Sequence, residues 1–258
     1  MRIARPGNRG ILENGVYWSR LLRPKGVPLP QVLGQEFPEA VDRFAYVILH
    51  RLPGRDLGLV YSHLKENEKR RIVADLVRIQ KIVATLPQGH GFGHVARYDG
   101  SYPYPCWSAV VRGSLQRSHK RLERSGRVDV SVVGLVEKRS EQFEAYFDHI
   151  QPVPFLDDIT TKNVIVHEGK LSGIVDVDWM GFGDSIVTLA LTRMSLLELG
   201  YSTDYVEFWA EELKLSGEQH RVLDIYAAAC CLDFISDATS ERKVQRLQAI
   251  LKHLLTEL

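Results

Sequence analysis

Three side chains with oxygen ligands, Asp158, Asn163 and Asp176, flank a predicted β-hairpin in the second half of the chain. Two short apolar runs, Val164 to Val166 and Leu171 to Val175, are separated by turn-forming residues. Because an antiparallel hairpin folds its second strand back along its first, the three side chains are expected to converge. Two carboxylates and an amide oxygen suit Mg²⁺ bound together with substrate phosphates. The stretch therefore predicts metal-assisted chemistry on a phosphate compound.

The surrounding segment, residues 155–184, resembles the catalytic core of the aminoglycoside phosphotransferase and choline kinase-like family, small-molecule kinases with a protein-kinase-like fold. The family loop reads His-Gly-Asp, four variable residues, Asn, a hairpin, Ile-Asp-Trp and then Gly-Asp. At the corresponding places this chain has Leu156-Asp157-Asp158, Asn163, Val175-Asp176 and Gly183-Asp184. A single short motif of this kind would occur by chance, whereas the whole string with its spacing is specific.

The resemblance implies a role for four residues. Asp158 is the catalytic aspartate that accepts or orients the substrate hydroxyl, and Asn163 and Asp176 are the ligands of Mg²⁺. Asp184 is a structural anchor for the catalytic loop. The implied phosphate donor is ATP or GTP. The alternative for all four is that they cap turns and helix starts, and Asp184 in particular precedes a helical run.

Two positions depart from the family pattern. Leu156 replaces the family histidine, so we expect a supporting hydrogen bond to the loop backbone to be lost. Asp178-Trp179 places the tryptophan two positions after its usual place, which leaves Asp178 as an extra carboxylate. The roles of Asp157 and Asp178 stay open at this point.

Residues 1–50 are predicted to form a small, truncated lobe with a partial sheet and one helix, and residues 51–258 a large helical lobe. By the resemblance, Leu49, His50 and Arg51 form the hinge whose backbone binds adenine. Arg2 stands near the place of the phosphate-binding lysine, with Glu13 as its partner on the helix. For Arg2 and Glu13 the alternative is an ordinary exposed charge.

Kinases of this class carry two strands and a phosphate-covering loop before the basic residue, and Met1-Arg2-Ile3 leaves little sequence for them. From this we expect weak nucleotide binding and slow transfer, because the cover that excludes water is short. An incomplete sheet would also leave an edge open to pairing with a second copy, which predicts a homodimer.

The rest of the chain is predicted to be mostly helical with one embedded hairpin. Apolar residues recur at helical spacing over residues 66–86, and helical patterns follow over 186–199, 204–213, 217–237 and 241–255. The fold class is therefore α+β: a protein-kinase-like fold with a small partial β-sheet lobe and a large helical lobe. Residues 87–107 are predicted to be an ordered loop, in which Tyr104 and Trp107 either stack on a ligand or pack over the surface.

The composition is that of an ordinary globular protein. The 258 residues are 45% hydrophobic and 25% charged, and the net charge is +1. Neither nucleic acid nor a membrane is indicated as a partner, and we expect a cytoplasmic protein. The three cysteines do not make a disulfide framework.

The acceptor is predicted to be a small molecule. Only Val177 to Gly183 lie between Asp176 and Asp184, which leaves no room for the activation segment of a protein kinase. An aminoglycoside, amino sugar or amino alcohol would need an acidic pocket, and the available carboxylates are Asp157, Asp178, Glu198, Asp204 and Glu207. Two other functions remain open, a catalytically degenerate kinase-like protein that binds a nucleotide or ligand, and a metal-dependent hydrolase.

Overall fold

The computed structural model describes residues 1–5, 7–39 and 43–256. The strands are β1 (Arg2–Ala4), β2 (Val32–Glu36), β3 (Ala45–Leu49), β4 (Arg55–Asp56), β5 (Gly93–Val95), β6 (Pro154–Phe155), β7 (Val164–His167), β8 (Lys170–Ile174) and β9 (Met180–Phe182). The helices are α1 (Arg9–Leu22), α2 (Leu57–Val60), α3 (Glu66–Ala84), α4 (Trp107–Ser125), α5 (Ser131–Glu141), α6 (Glu144–His149), α7 (Ile186–Leu199), α8 (Asp204–Leu213), α9 (Gly217–Asp237) and α10 (Glu241–Thr256). Short 3₁₀ turns cover Arg23–Lys25 and Tyr61–His63.

The small lobe is a three-stranded antiparallel sheet in the order β1-β3-β2, with α1 on one face. Leu12 and Val16 of α1 pack against Ala45 and Val47 of the central strand, and these four buried side chains form a small core of their own. Strand β1 is at the edge of this sheet, so the register of Arg2 against Val47 is fixed by a single neighbouring strand.

The second half of α1 belongs to the large lobe. Trp18 and Leu22 are fully buried in the main hydrophobic core, and the Trp18 ring packs against the ring of Tyr98 at a centroid distance of 5.4 Å. Burial of a tryptophan and a leucine contributes on the order of several kcal/mol. The helix therefore fastens the small sheet to the large lobe, and the two lobes share one element.

The hairpin of β7 and β8 has the expected register. Val164 pairs with Ile174 and His167 with Lys170, and the two turn residues, Glu168 and Gly169, both have positive φ. Positive φ at both central positions is what a type I′ turn requires, and such turns match the twist of the flanking strands. Strand β4 pairs with β7 and extends the hairpin to three strands.

A third small sheet has the order β5-β9-β6, and its strands β6 and β9 flank residues 156–179 along the chain. Residues 87–107, predicted as an ordered loop, contain strand β5, and the large lobe contains this sheet in addition to the one predicted hairpin. Strands of two or three residues are too short to show an alternating pattern, so periodicity cannot reveal them. All three residues of β9 are buried, which fixes the chain between Asp176 and Asp184.

The remaining helices form the large lobe, with α9 packed among α4, α5, α7 and α10. The prediction of an α+β, protein-kinase-like fold with a large helical lobe is confirmed, and the four helices predicted after Asp184 begin at the expected residues. Among the described residues, no helix combines the length and apolar character needed to span a bilayer.

A glycine on β8 sets how closely the small lobe approaches the hairpin. A Cβ atom added at Gly173 would lie 2.4 Å from the backbone oxygen of Pro28, which also accepts a hydrogen bond from Ile174 N at 2.9 Å. Gly173→Ala is therefore expected to lower the free energy of unfolding by about 1–3 kcal/mol through overpacking. Urea denaturation measures the change.

Gly134 provides the matched control, because it is exposed in the middle of α5 and a Cβ there would meet nothing within 4 Å. Gly134→Ala should stabilise the protein by about 0.5–1 kcal/mol, the usual helix-propensity difference. Equal effects of the two substitutions would show that β8 does not press on Pro28.

Candidate functional site

The hairpin brings the three predicted site residues together. The backbone N–H of Val175 donates to the backbone oxygen of Asn163 at 2.9 Å, so Asp176 leaves the second strand beside the start of the first. The charge of Asp158 is close enough to Asp176 to raise the pKa of that carboxyl. Asp158, Asn163 and Asp176 therefore lie at one end of the hairpin, as the spacing predicted.

The Asn163 side chain is held in one orientation. It is 8% exposed, and its Nδ2 donates to the backbone oxygen of Asp158 at 2.9 Å. This bond leaves the amide oxygen Oδ1 as the group available to a cation. Asp158 is oriented in turn, because Thr160 Oγ1 donates to its Oδ1 at 2.8 Å.

These residues fit Mg²⁺ only if further oxygens come from a substrate. Among the described residues, no group of three or more His, Cys, Asp or Glu side chains has a geometry suited to a metal ion. Asn163 Oδ1 and the Asp176 carboxylate are hard oxygen ligands of the type that Mg²⁺ takes when phosphates and water complete its shell. The donor set therefore fits a phosphate-bound Mg²⁺ and not a site built of protein alone.

Asp176 has an unusual backbone and a perturbed carboxyl. Its φ of 66° lies in the left-handed region, which non-glycine residues adopt rarely, although aspartate does so more readily than most. Partial burial raises the pKa of Asp176, the Arg2 guanidinium opposes the rise, and Asp178 and Asp158 add to it.

Arg2, the basic residue of β1, contacts both Asp176 and Asp178. Arg2 binds Asp178 through two hydrogen bonds, Nη1 to Oδ1 at 2.8 Å and Nη2 to Oδ2 at 2.6 Å, and its Nη2 also lies 2.8 Å from Asp176 Oδ1. Bonding to Asp178 raises the pKa of the Arg2 guanidinium. This two-bond geometry between a guanidinium and a carboxylate is the strongest kind of ion pair that side chains form.

Helix α1 approaches the Asp178 carboxylate through a glycine. A Cβ atom added at Gly15 would lie 2.5 Å from Asp178 Oδ1, so a larger residue would displace the carboxylate. Gly15 weakens a helix in isolation, and here the close approach explains its presence. Asp178 is 8% exposed, which makes it a buried charge satisfied by Arg2.

The expected pairing of Arg2 with Glu13 is wrong. Glu13 lies 3.5 Å from Arg9 and 3.7 Å from Arg97, and Arg2 is paired with Asp178 and Asp176 instead. Gly15 allows the Asp178 carboxylate to lie against α1. Asp178 therefore occupies the position beside Arg2 that was expected for Glu13. Asp178, the carboxylate that has no counterpart in the family pattern, is thus the partner of Arg2.

A narrow cavity lies between the small sheet and the hairpin. Its walls include Leu49 at the end of β3, Leu29 and Val47 on the small-lobe side, and Ile174 and Asp176 on the other, and its volume is about 40 Å³. That volume holds one or two water molecules. In this conformation the cluster around Arg2 closes the space between the lobes.

The predicted hinge follows the same strand. Leu49 pairs with Val32, and His50 N donates to the backbone oxygen of Gln31 at 2.8 Å. Arg51 comes next and leads into the large lobe through β4. Leu49 lines the cavity, whereas His50 and Arg51 are exposed and do not line it.

The chain just before Asp158 is anchored although Leu156 stands in place of the family histidine. Leu156 is 2% exposed, and its backbone oxygen accepts a hydrogen bond from Thr188 Oγ1 at 3.0 Å. The backbone at Leu156 is thus tied to α7. The sequence does not identify Thr188 as an anchoring residue, because no feature of a helical segment distinguishes one threonine from the others.

Asp184 anchors the end of the same segment. Its carboxylate accepts hydrogen bonds from the hydroxyls of Tyr146 and Tyr226 at 2.9 Å each and from Ile186 N at 3.0 Å. Trp107 Nε1 donates to Tyr226 at 2.6 Å and extends the network. Burial raises the pKa of Asp184, and the donated bonds oppose that rise. Asp184 thus both caps the start of α7 and ties four elements together.

His94 on β5 was missed by the sequence analysis. Its Nε2 lies 3.2 Å from Asp157 Oδ2. Asp157 directly precedes Asp158 in the sequence. Burial raises the pKa of Asp157, with His94 opposing and Asp158 adding to the effect. A lone histidine in a stretch taken as a loop gave no signal, because the strand that carries it is three residues long.

Four of the five carboxylates considered for an acidic acceptor pocket already have basic side chains as neighbours. Asp204 pairs with Lys69 at 2.8 Å, Glu198 pairs with Lys243, and Asp178 pairs with Arg2. Asp157 faces His94. The three charges of Asp204, Glu198 and Asp178 are thus already compensated by basic side chains, so these three carboxylates offer no shared site for a polycation.

Comparison with protein-family models identifies the chain. The model of the phosphotransferase enzyme family matches residues 1–221, and the chain therefore belongs to that family of phosphotransferase enzymes. A comparison with curated protein sequences gave no match.

Solved structures of aminoglycoside phosphotransferases share the fold. The apo form of a thermostable mutant of APH(4)-Ia is 17% identical, with a TM-score of 0.69 over 96% of this chain and 83% of that one. The gentamicin complex of APH(2")-IIa is 16% identical, with a TM-score of 0.65 over 98% and 82% of the two chains. ADP-bound APH(2'')-Ib is 15% identical, with a TM-score of 0.62 over 96% and 81%.

The Asp184 network makes a prediction about stability. Tyr226→Phe removes a bond to a buried carboxylate and leaves Trp107 Nε1 without its acceptor, so it should cost about 1–3 kcal/mol of unfolding free energy. Tyr205→Phe is the matched control, since the Tyr205 hydroxyl is buried without a hydrogen-bond partner among the described residues. That substitution should be neutral or stabilising. Thermal and urea denaturation compare the two variants, and equal losses would contradict the anchoring role.

Proposed function

We propose that this protein transfers the γ-phosphoryl group of ATP, in the presence of Mg²⁺, to a hydroxyl group of a small molecule. The observation that carries the proposal is the convergence of Asp158, Asn163 and Asp176 at one end of the hairpin, beneath the Arg2 guanidinium. Similar structures that contain ADP, AMP-PNP or ATP support a nucleotide as the phosphate donor.

Asn163 and Asp176 are the proposed ligands of the metal. Asn163 Oδ1 and the Asp176 carboxylate would hold Mg²⁺ against the nucleotide phosphates, and the ion would neutralise charge on the transferring group. Arg2 would remain near the phosphates, held there by Asp178. Its Nη2 lies 2.8 Å from Asp176 Oδ1, so the other carboxylate oxygen of Asp176, Oδ2, is the one proposed to bind the metal.

Asp158 is proposed to act on the acceptor. Its carboxylate orients the acceptor hydroxyl and takes up the proton as the oxygen attacks the γ-phosphorus. The new oxygen–phosphorus bond forms as the bond to the β-phosphate oxygen breaks, so the products are a phosphate monoester and ADP. Thr160 and Asn163 hold Asp158 in place, which reduces the reorganisation needed in the transition state.

The nucleotide base is proposed to enter beside Leu49, His50 and Arg51. His50 N already donates to Gln31, which favours the backbone groups of Leu49 and Arg51 for contact with adenine. Because the cavity at this place is about 40 Å³, binding of ATP requires the small sheet to move away from the hairpin.

The short segment between Asp176 and Asp184 supports a small-molecule acceptor. Met180–Phe182 within it form strand β9, which is buried between β5 and β6. No part of this segment is long enough to dock a peptide as an activation segment does. A hydroxyl on a small molecule is therefore favoured over one on a protein.

A second candidate function is nucleotide binding without turnover. The closed cleft, with Arg2 bonded to the proposed metal ligand Asp176, favours this candidate. The two functions differ in a coupled assay, since only the enzyme releases ADP when an alcohol is added.

The proposed roles of the two aspartates predict opposite phenotypes. Asp176→Asn should weaken binding of Mg-ATP at least about tenfold, equivalent to about 1.4 kcal/mol, because a metal ligand is lost. Asp158→Asn should leave that affinity nearly unchanged and lower transfer by about 10²–10⁴-fold. Isothermal titration calorimetry and ADP release measure the two effects. Unchanged affinity in Asp176→Asn would remove the metal assignment.

The ion pair between Arg2 and Asp178 predicts that two substitutions differ in their effect on Mg-ATP binding. Asp178→Asn should weaken Mg-ATP binding by about tenfold, since Arg2 then loses its two-bond partner and its fixed place near the phosphates. Glu13→Gln is the matched control and should change the affinity less than twofold, because Glu13 faces Arg9 and Arg97. Tighter binding in Asp178→Asn would mean that the pair only holds the cleft shut.

A further inference from the structure

A second cavity lies in the large lobe, away from the nucleotide cleft. Its volume is about 410 Å³, within the range of small-molecule sites. Helix α4 contributes Trp107, Val110 and Val111 to its walls, and α9 contributes Tyr226, Ala229 and Cys230. The surface that faces a ligand is therefore largely apolar and aromatic.

His94 connects this cavity to the catalytic loop. It lines the cavity, its Nε2 lies 3.2 Å from Asp157 Oδ2, and its ring packs edge-on to Phe155 at a centroid distance of 6.5 Å. Asp157 directly precedes Asp158, and the Asp158 charge helps to raise the pKa of the Asp157 carboxyl, so the His94 wall of the cavity lies near the proposed catalytic carboxylate.

The cavity carries little uncompensated negative charge. Asp233 is the one carboxylate in its lining, and it accepts hydrogen bonds from Ser118 Oγ at 2.9 Å and Arg121 Nη1 at 3.2 Å. The lining also includes the cationic Arg117, which donates to the Tyr104 hydroxyl. A polycation brought into this space would lose its hydration without gaining a matching set of carboxylates.

From this lining we infer that the acceptor is a neutral, hydroxylated molecule with a substantial apolar or aromatic part, and not a polycationic aminoglycoside. The apolar part packs between α4 and α9, and a hydroxyl reaches past His94 to Asp158. The inference rests on the proposed function only for the transfer step, because binding in the cavity follows from its lining alone.

Three probes separate the chemical classes by isothermal titration calorimetry. Phenyl β-D-glucopyranoside is neutral, hydroxylated and aromatic, glucose lacks the apolar part, and gentamicin is a polycation. The first should bind at least tenfold more tightly than either of the others. Mg-ATP is titrated in parallel, so that failure of the nucleotide site is seen separately.

Two variants test whether phenyl glucoside binds in this cavity. Ala229→Phe places a ring in the cavity and should weaken phenyl glucoside binding at least tenfold, while leaving Mg-ATP affinity unchanged. Ala74→Phe, the same change on the exposed face of α3, should alter neither. If Ala229→Phe fails to fold, the comparison of the three probes on the unaltered protein still decides the inference.

The outcomes are distinct. Tighter binding of gentamicin than of phenyl glucoside, equal binding of phenyl glucoside and glucose, or binding that Ala229→Phe leaves intact would each overturn the inference. Loss of Mg-ATP binding with phenyl glucoside still bound would overturn the proposed function and leave the cavity assignment standing.

Discussion

The ion pair between Arg2 and Asp178 is the contact on which the arrangement of the cleft depends. It joins the edge strand of the small sheet to the chain just after the hairpin, with two hydrogen bonds and a buried carboxylate. A buried carboxylate without its partner would cost several kcal/mol, so the pair fixes where β1 can lie. Asp176 is drawn into the same cluster through Arg2, which couples the position of the small lobe to the availability of the proposed metal ligand.

The catalytic stretch is held at both ends by groups that take no part in the proposed chemistry. Thr188 bonds the backbone at Leu156, and the buried carboxylate of Asp184 gathers bonds from three elements. Between these anchors, the hairpin holds Asn163 beside Val175, where the chain leaves the second strand. Such preorganisation is what phosphoryl transfer requires of a protein, because positioning and charge stabilisation supply most of the rate.

The local signals in the sequence predicted the hairpin, the helices after Asp184 and the convergence of the site, because each rests on periodicity or turn chemistry within a short window. The partner of Arg2 and the role of His94 could not be predicted in the same way. Both depend on contacts between segments far apart in the chain, and the strand that carries His94 is too short to have a pattern. For a related reason, the sequence does not reveal that Asp204 and Glu198, two of the carboxylates considered for an acceptor pocket, already have lysine partners.

Phosphorus-31 nuclear magnetic resonance of ATP incubated with the protein, Mg²⁺ and a neutral aromatic alcohol tests the central claim most directly. The spectrum separates ADP, inorganic phosphate and a phosphate monoester in one sample. The account predicts that ADP and a monoester appear in equal amounts. Inorganic phosphate without a monoester would indicate a hydrolase, and an unchanged ATP spectrum with nucleotide bound would indicate a protein that binds without transfer. Either result would contradict the account.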